Sequence, residues 1–251
     1  MNDQFEAVQQ AGGSWKRLYR IGAVAAIVAV LFFRRYFAAE FSLLWSTGVI
    51  TAGLAEWPVS AGDWFTVLQT TPLVGLILLN LVDLVNYTLV GMIFLGVYAA
   101  LRCANRSWVT VAAALGLVGI ASYLASNQAF AMLALSNKYA AAGDEGQRYA
   151  LRAAGEALLA MNEGGTGQYI GLLFVVLAGL IFSIIMLRSD VFNKATAYTG
   201  LGANSLMAIM FLVWPFNPPW LPLLPSLSAL FRVTWYVLIA RRLWQLGARS
   251  A

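Results

Sequence analysis

Long apolar runs alternate with short polar or basic turns through most of this 251-residue chain. Six of the runs predict membrane-spanning helices, approximately residues 19–43, 72–101, 108–126, 168–187, 195–214 and 221–240, since about 20 apolar residues cross the hydrocarbon layer. The run over 72–101 is long enough to tilt or to protrude. The segment 144–163 is different: Asp144, Glu145, Arg148, Arg152, Glu156 and Glu163 interleave with Leu151, Ala154, Leu158 and Met161 at helical spacing. That pattern predicts an extracytoplasmic amphipathic helix, started by its acidic first turn and stopped by Gly164-Gly165. Residues 45–71, with Glu56, Trp57, Pro58, Asp63 and Trp64, read as an outer loop carrying interfacial aromatics. The pattern therefore predicts an all-α bundle of about six transmembrane helices, with residues 1–15 as a polar cytoplasmic tail and 16–251 as one domain. The start of the first span, Lys16, Arg17 and Arg20 before Ile21–Phe33, has the outline of a signal peptide. Arg34 and Arg35 follow it directly and no small-x-small cleavage site is in place, so it is read as a span.

Composition agrees with the pattern: 61% of residues are hydrophobic and 11% charged, where soluble domains hold about 45–50% and about 25%. The absence of histidine removes the usual general base, haem ligand and metal ligand. The single cysteine, Cys103, leaves no intrachain disulfide and no thiolate cluster. The net charge of +5 does not point to nucleic acid. With six spans, Lys16, Arg17, Arg20, Arg102, Arg106, Arg188, Lys194, Arg241, Arg242 and Arg249 fall on one side, and Glu56, Asp63, Asp144, Glu145, Glu156 and Glu163 on the other. The positive-inside rule then places both termini on the cytoplasmic side of the plasma membrane.

Candidate chemistry lies in polar residues inside the apolar runs. Asn80, Asp83, Asn86 and Tyr87 stand at i, i+3, i+6 and i+7, one face of a continuous helix. A carboxylate at membrane depth faces a protein interior or a watery cavity. Counting about 1.5 Å per residue from the basic ends puts Arg34, Arg35, Glu40, Tyr123 and Asn127 in the same outer layer as Asp83. Three readings of this layer stand side by side. Asp83 pairs with Arg34 or Arg35 and fixes helix packing; the layer is an outward-facing ligand pocket lidded by segment 144–163; or the arginines only snorkel to headgroups. A second layer nearer the midplane holds Asn204, Ser205, Arg232 and Tyr236, where Arg232 is expected to donate to Asn204 or to backbone carbonyls.

No catalytic motif is present: no H-E-x-x-H, G-x-S-x-G, phosphate-binding loop or dinucleotide fingerprint. Glu40 and Asp83 are a conceivable carboxylate pair, but arginines beside them would hold their pKa values low, wrong for a general acid. Gly116, Gly119, Gly200 and Gly202 read as close helix contacts.

The stretches SNQAFAMLALSNKYAAAGDEGQRYALRAAGEALLA (126–160), IIMLRSDVFNKATAYTGLGANSLM (184–207) and WYVLIARRLWQLG (235–247) resemble the bacterial multi-pass membrane family DUF4386, a domain of unknown function. LYRIGAVAAIVAVLFFRR (18–35) and RSWVTVAAALGLVGIASYLASN (106–127) resemble it as well. The resemblance implies a helical membrane protein of about six spans and no transferable activity, cofactor or site. Together these readings lead to a non-enzymatic membrane protein without metal or cofactor, in contact with membrane lipids, that binds or moves a small or lipidic molecule through the outer polar layer. The alternatives are an accessory or sensory subunit whose polar groups only pack helices, and an enzyme acting through Glu40 and Asp83. The oligomeric state is not legible.

Overall fold

Apolar residues in unbroken runs bury best as helices in lipid, because a helix satisfies its own backbone hydrogen bonds. Every regular element among the described residues is helical. In chain order these are α1 (Lys16–Trp45), α2 (Ala61–Thr70), α3 (Pro72–Leu78), α4 (Leu81–Leu101), α5 (Arg106–Ala125), α6 (Ala129–Ala140), α7 (Glu145–Gly164), α8 (Thr166–Leu187), α9 (Lys194–Val213) and α10 (Leu223–Arg249). A 3₁₀ turn, Trp214–Phe216, follows α9. The computed structural model describes residues 15–45, 58–216, 218, 220–221 and 223–249, with the side chains of 33–45, 163, 215 and 249 outside the description.

Among the described residues, five helical stretches are long and apolar enough to cross a membrane: Leu81–Leu101, Arg106–Ala140, Glu145–Leu187, Lys194–Val213 and Leu223–Ala248. One of the expected runs is interrupted. The run 72–101 stops at Leu79 and restarts at Leu81, and Asn80 takes φ 65° between the halves. Asparagine is one of the few residues that tolerates this left-handed backbone, which ends a helix. The span expected over 108–126 ends at Ala125 as α5, and after a second break at Ser126–Gln128 the chain continues as α6. The last helix runs nine residues beyond the expected Ala240, so Arg241 and Arg242 are helical.

Two compact units divide the described residues. The first comprises 15–33, 86–121 and 170–249. Its helices approach closely through small residues, as in membrane bundles generally. A Cβ on Gly119 would stand 2.5 Å from the Gly171 carbonyl oxygen, and one on Gly22 would stand 3.0 Å from Gly96 Cα. Phe94 and Phe182 pack with ring centroids 5.3 Å apart. Ser228 donates to the Ala203 carbonyl at 2.9 Å and ties α9 to α10.

The second unit comprises 34–45, 58–85 and 122–169. Here the sequence expectation of an outer loop over 45–71 is corrected. Residues 46–57 lie outside the described part, but Ala61–Thr70 is a helix with its own capping box. Ser60 accepts from Asp63 N–H at 3.2 Å, and the Asp63 carboxylate accepts from Ser60 N–H at 2.9 Å. These bonds, the Ser60 N–H foremost and the Ser60 hydroxyl next, hold the Asp63 carboxyl below its ordinary range. Trp64, expected at an interface, is only 4% exposed and packs with Phe65, Leu68, Leu76, Leu79, Met132 and Leu159. Burying each such side chain stabilises the unit by about 1.5–3 kcal/mol.

Polar bonds fix this small core. Ser136 donates to the Phe65 carbonyl at 3.1 Å, and Ala61 N–H donates to Glu156 at 2.6 Å. Helix α7, capped by Asp144, matches the expected segment 144–163, but its buried face is turned. Gly155, Leu159 and Asn162 are buried, whereas Ala154 and Met161 are exposed. Gly155 sets this rotation: its bare Cα lets α7 settle on Ala61 and Phe65, where a Cβ would meet atoms at 2.7 and 2.8 Å.

Candidate functional site

Within the second unit the two helix breaks meet. A break in an apolar helix leaves backbone carbonyls and N–H groups without partners, and these need satisfaction away from water. Asn127, in the α5–α6 break, supplies it for the α3–α4 break. Its Nδ2 donates to the Leu79 carbonyl at 3.4 Å and the Asn80 carbonyl at 3.3 Å. Its Oδ1 accepts from Ala129 N–H at 3.1 Å, starting α6. One side chain thus closes both breaks.

Asp83 sits in the first turn of α4, just after the break. A negative group is favoured there by the helix dipole. Tyr123, in the last turn of α5, donates its hydroxyl to Asp83 Oδ2 at 2.6 Å. Gln128 N–H donates to the buried Asn162 of α7 at 3.4 Å, and Gln128 Nε2 donates to the Ser126 carbonyl at 3.0 Å. Ser126 donates to the Ser122 carbonyl at 2.7 Å and lies directly against Gly167 of α8. The result is a layer of amide, hydroxyl and carboxylate groups between apolar helices.

The sequence-predicted residues fare differently. Asn80, Asp83, Tyr123 and Asn127 come together as expected from their matched depth. The expectation that Asn80 shares a helix face with Asp83 is corrected: Asn80 is the turn itself, and its carbonyl also accepts from Asp83 N–H at 3.1 Å. Arg34, Arg35 and Glu40 are in α1, but their side chains lie outside the described ones, and so does the expected Arg–Asp83 ion pair. Tyr87 is partly buried on α4. Asn86 Oδ1 is buried without a hydrogen-bond partner.

In the first unit, no hydrogen bond joins Asn204 to Arg232. Asn204 is buried and donates to the Gly200 carbonyl one turn back at 2.8 Å, with Gly179 packed on its amide. Arg232 stands instead beside the buried Tyr236 hydroxyl, one turn along α10. The intrahelical amide bond wins because it needs no partner helix.

Gln128, Ser126 and Asn162 were missed. Ser-Asn-Gln at 126–128 is a polar triplet between two apolar runs, and it reads as a break once the 35-residue stretch is seen to exceed one bilayer. Asn162 carried no such signal.

These helices, long, apolar and packed through small residues around a few buried polar groups, define a helical membrane protein. The family model described as Domain of unknown function (DUF4386) matches residues 18–241, and the chain belongs to that family. No curated protein and no solved structure matches the chain.

Proposed function

We propose that the protein is a non-catalytic, six-span protein of the plasma membrane that binds or moves a small or lipidic molecule through the polar layer at its helix breaks. Lys16–Trp45 is the sixth span beside the five apolar stretches. Both termini face the cytoplasm, on the strength of the basic residues at that end of the spans. The reading is carried by the meeting of the two breaks beside Asp83. Irregular backbone inside a bilayer is stable only where protein buries it or where it lines a cavity. Discontinuous helices with exposed half-helix ends are a recurrent way of building a membrane binding site.

A second reading keeps the polar groups purely structural, in an accessory or sensory subunit. It is favoured by how fully Asp83, Tyr123 and Asn127 use one another and the nearby backbone. Asp83→Asn and Tyr123→Phe separate the two, with melting temperature in detergent and native mass spectrometry as readouts. For a binding site, the wild type carries a non-protein mass that both variants lose while melting stays within a few degrees. For a structural bond, Tyr123→Phe costs about 1.5–3 kcal/mol, the range for a bond to a charged group. Melting then falls and no bound mass distinguishes the proteins; that result would sink the binding reading.

A further inference from the structure

Two cavities in the first unit share a wall, and they differ in chemistry. The larger, about 590 Å³, is an apolar groove between α1 and α10. Ile27, Leu31 and Val237 line it and are each about half exposed, at 46%, 57% and 48%. Trp244, also half exposed, stands at the groove's basic end. The smaller, about 290 Å³, is polar and lies where the loop before α9 meets α10. Arg241 and Gln245 line both cavities.

The polar cavity holds groups of both signs. Asp190 and Arg241 line it together, and no ion pair joins them. Other groups there are committed elsewhere. Asn193 Oδ1 accepts from Thr196 N–H at 2.9 Å, capping α9, and Arg242 Nε donates to the Val191 carbonyl. Arg241, Gln245 and Asp190 are therefore the groups left to meet a ligand: a cation, an amide and an anion. From Gln245 to Val237 the helix rises about 12 Å, close to one leaflet of hydrocarbon. A tryptophan at the junction of apolar and polar surface marks the headgroup level.

We propose that these joined cavities bind one phospholipid whose headgroup carries both a phosphate and an ammonium group, an aminophospholipid. Its phosphate rests on Arg241 and Gln245, its ammonium on Asp190, and one acyl chain lies along Ile27, Leu31 and Val237. A zwitterionic headgroup matches the paired charges, whereas a purely anionic one leaves Asp190 unmatched beside a phosphate. This site is built without Asp83 or Asn127 and does not depend on the binding reading above.

The test uses the full chain in mild detergent, titrated with phosphatidylethanolamine, phosphatidylglycerol and phosphatidylcholine of identical chains, with retained lipid counted by native mass spectrometry. The wild type retains phosphatidylethanolamine several-fold over the other two. Arg241→Gln lowers retention of all three lipids several-fold, and Asp190→Asn abolishes the preference while phosphatidylglycerol is kept. Val237→Trp, which fills the groove from its exposed side, lowers retention independently should Arg241→Gln fail to fold. Equal retention of the three lipids, a preference for phosphatidylglycerol, retention untouched by Arg241→Gln and Val237→Trp, or a preference untouched by Asp190→Asn overturns the proposal.

Discussion

At the scale of single residues, Asn80 and Asp63 do local work that their surroundings make measurable. Asn80 holds φ 65°, where a side chain other than Asn, Asp or Gly strains the backbone. Asn80→Ala should destabilise the protein by about 1–2 kcal/mol, while Asn80→Gly should be close to neutral. Melting in detergent checks both, and equal melting for the two variants would show that the turn is not under this constraint. Asp63 carries a pH dependence. Its carboxyl is held low by the Ser60 N–H and hydroxyl, so the folded state favours the charged form. Its contribution is therefore complete above the unfolded value of about 3.9 and is lost as pH falls through the lower folded value. Hydrogen exchange at the first turn of α2 should accelerate over that acidic window in the wild type. In Asp63→Asn the same amides should exchange faster already at neutral pH and show no further step there.

At the scale of elements, close approach of backbones governs which glycines matter. Gly119 of α5 faces the Gly171 carbonyl oxygen of α8, and a Cβ would come within 2.5 Å of it. Backbone cannot swing aside as a side chain can, so Gly119→Ala should cost about 1–3 kcal/mol, the usual range for overpacking. Gly143, between α6 and α7, has nothing within 4 Å of an added Cβ, so Gly143→Ala should leave melting unchanged. Equal melting shifts for the two would deny that α5 and α8 pack this tightly. The same element-scale reasoning explains what was hard to read along the chain. The thirty residues 72–101, apolar but for a few polar positions, read as one long span. The stop at Asn80 depends on a backbone angle, and hydropathy does not report angles. The helix Ala61–Thr70 was obscured because Pro58, Asp63 and Trp64 suit a loop as well as a capped helix. Only the core beneath Trp64 and Phe65 makes the helix the better choice.

At the scale of the whole molecule, topology is the most accessible prediction, because the chain carries its own reporter. Cys103 is the single cysteine and is exposed in the turn between α4 and α5. On the proposed orientation a membrane-impermeant maleimide should label it only in opened cells. A cysteine placed at Gly143 in a Cys103→Ser background should label in intact ones. The reverse pattern would invert the orientation. The sequence by itself determined the class, the helical content and the family, because apolar length and the spacing of basic turns answer to the bilayer, which is one-dimensional along the chain. It also placed Asp83, Tyr123 and Asn127 in one layer, because helical rise converts position into depth. Only the tertiary structure decided that Asn127 closes both breaks, that α7 rests on Gly155 and Leu159, and that Arg232 turns to Tyr236. Depth says which residues are level with one another. Which of them touch depends on how each helix is rotated about its axis, and that is settled by packing between neighbours.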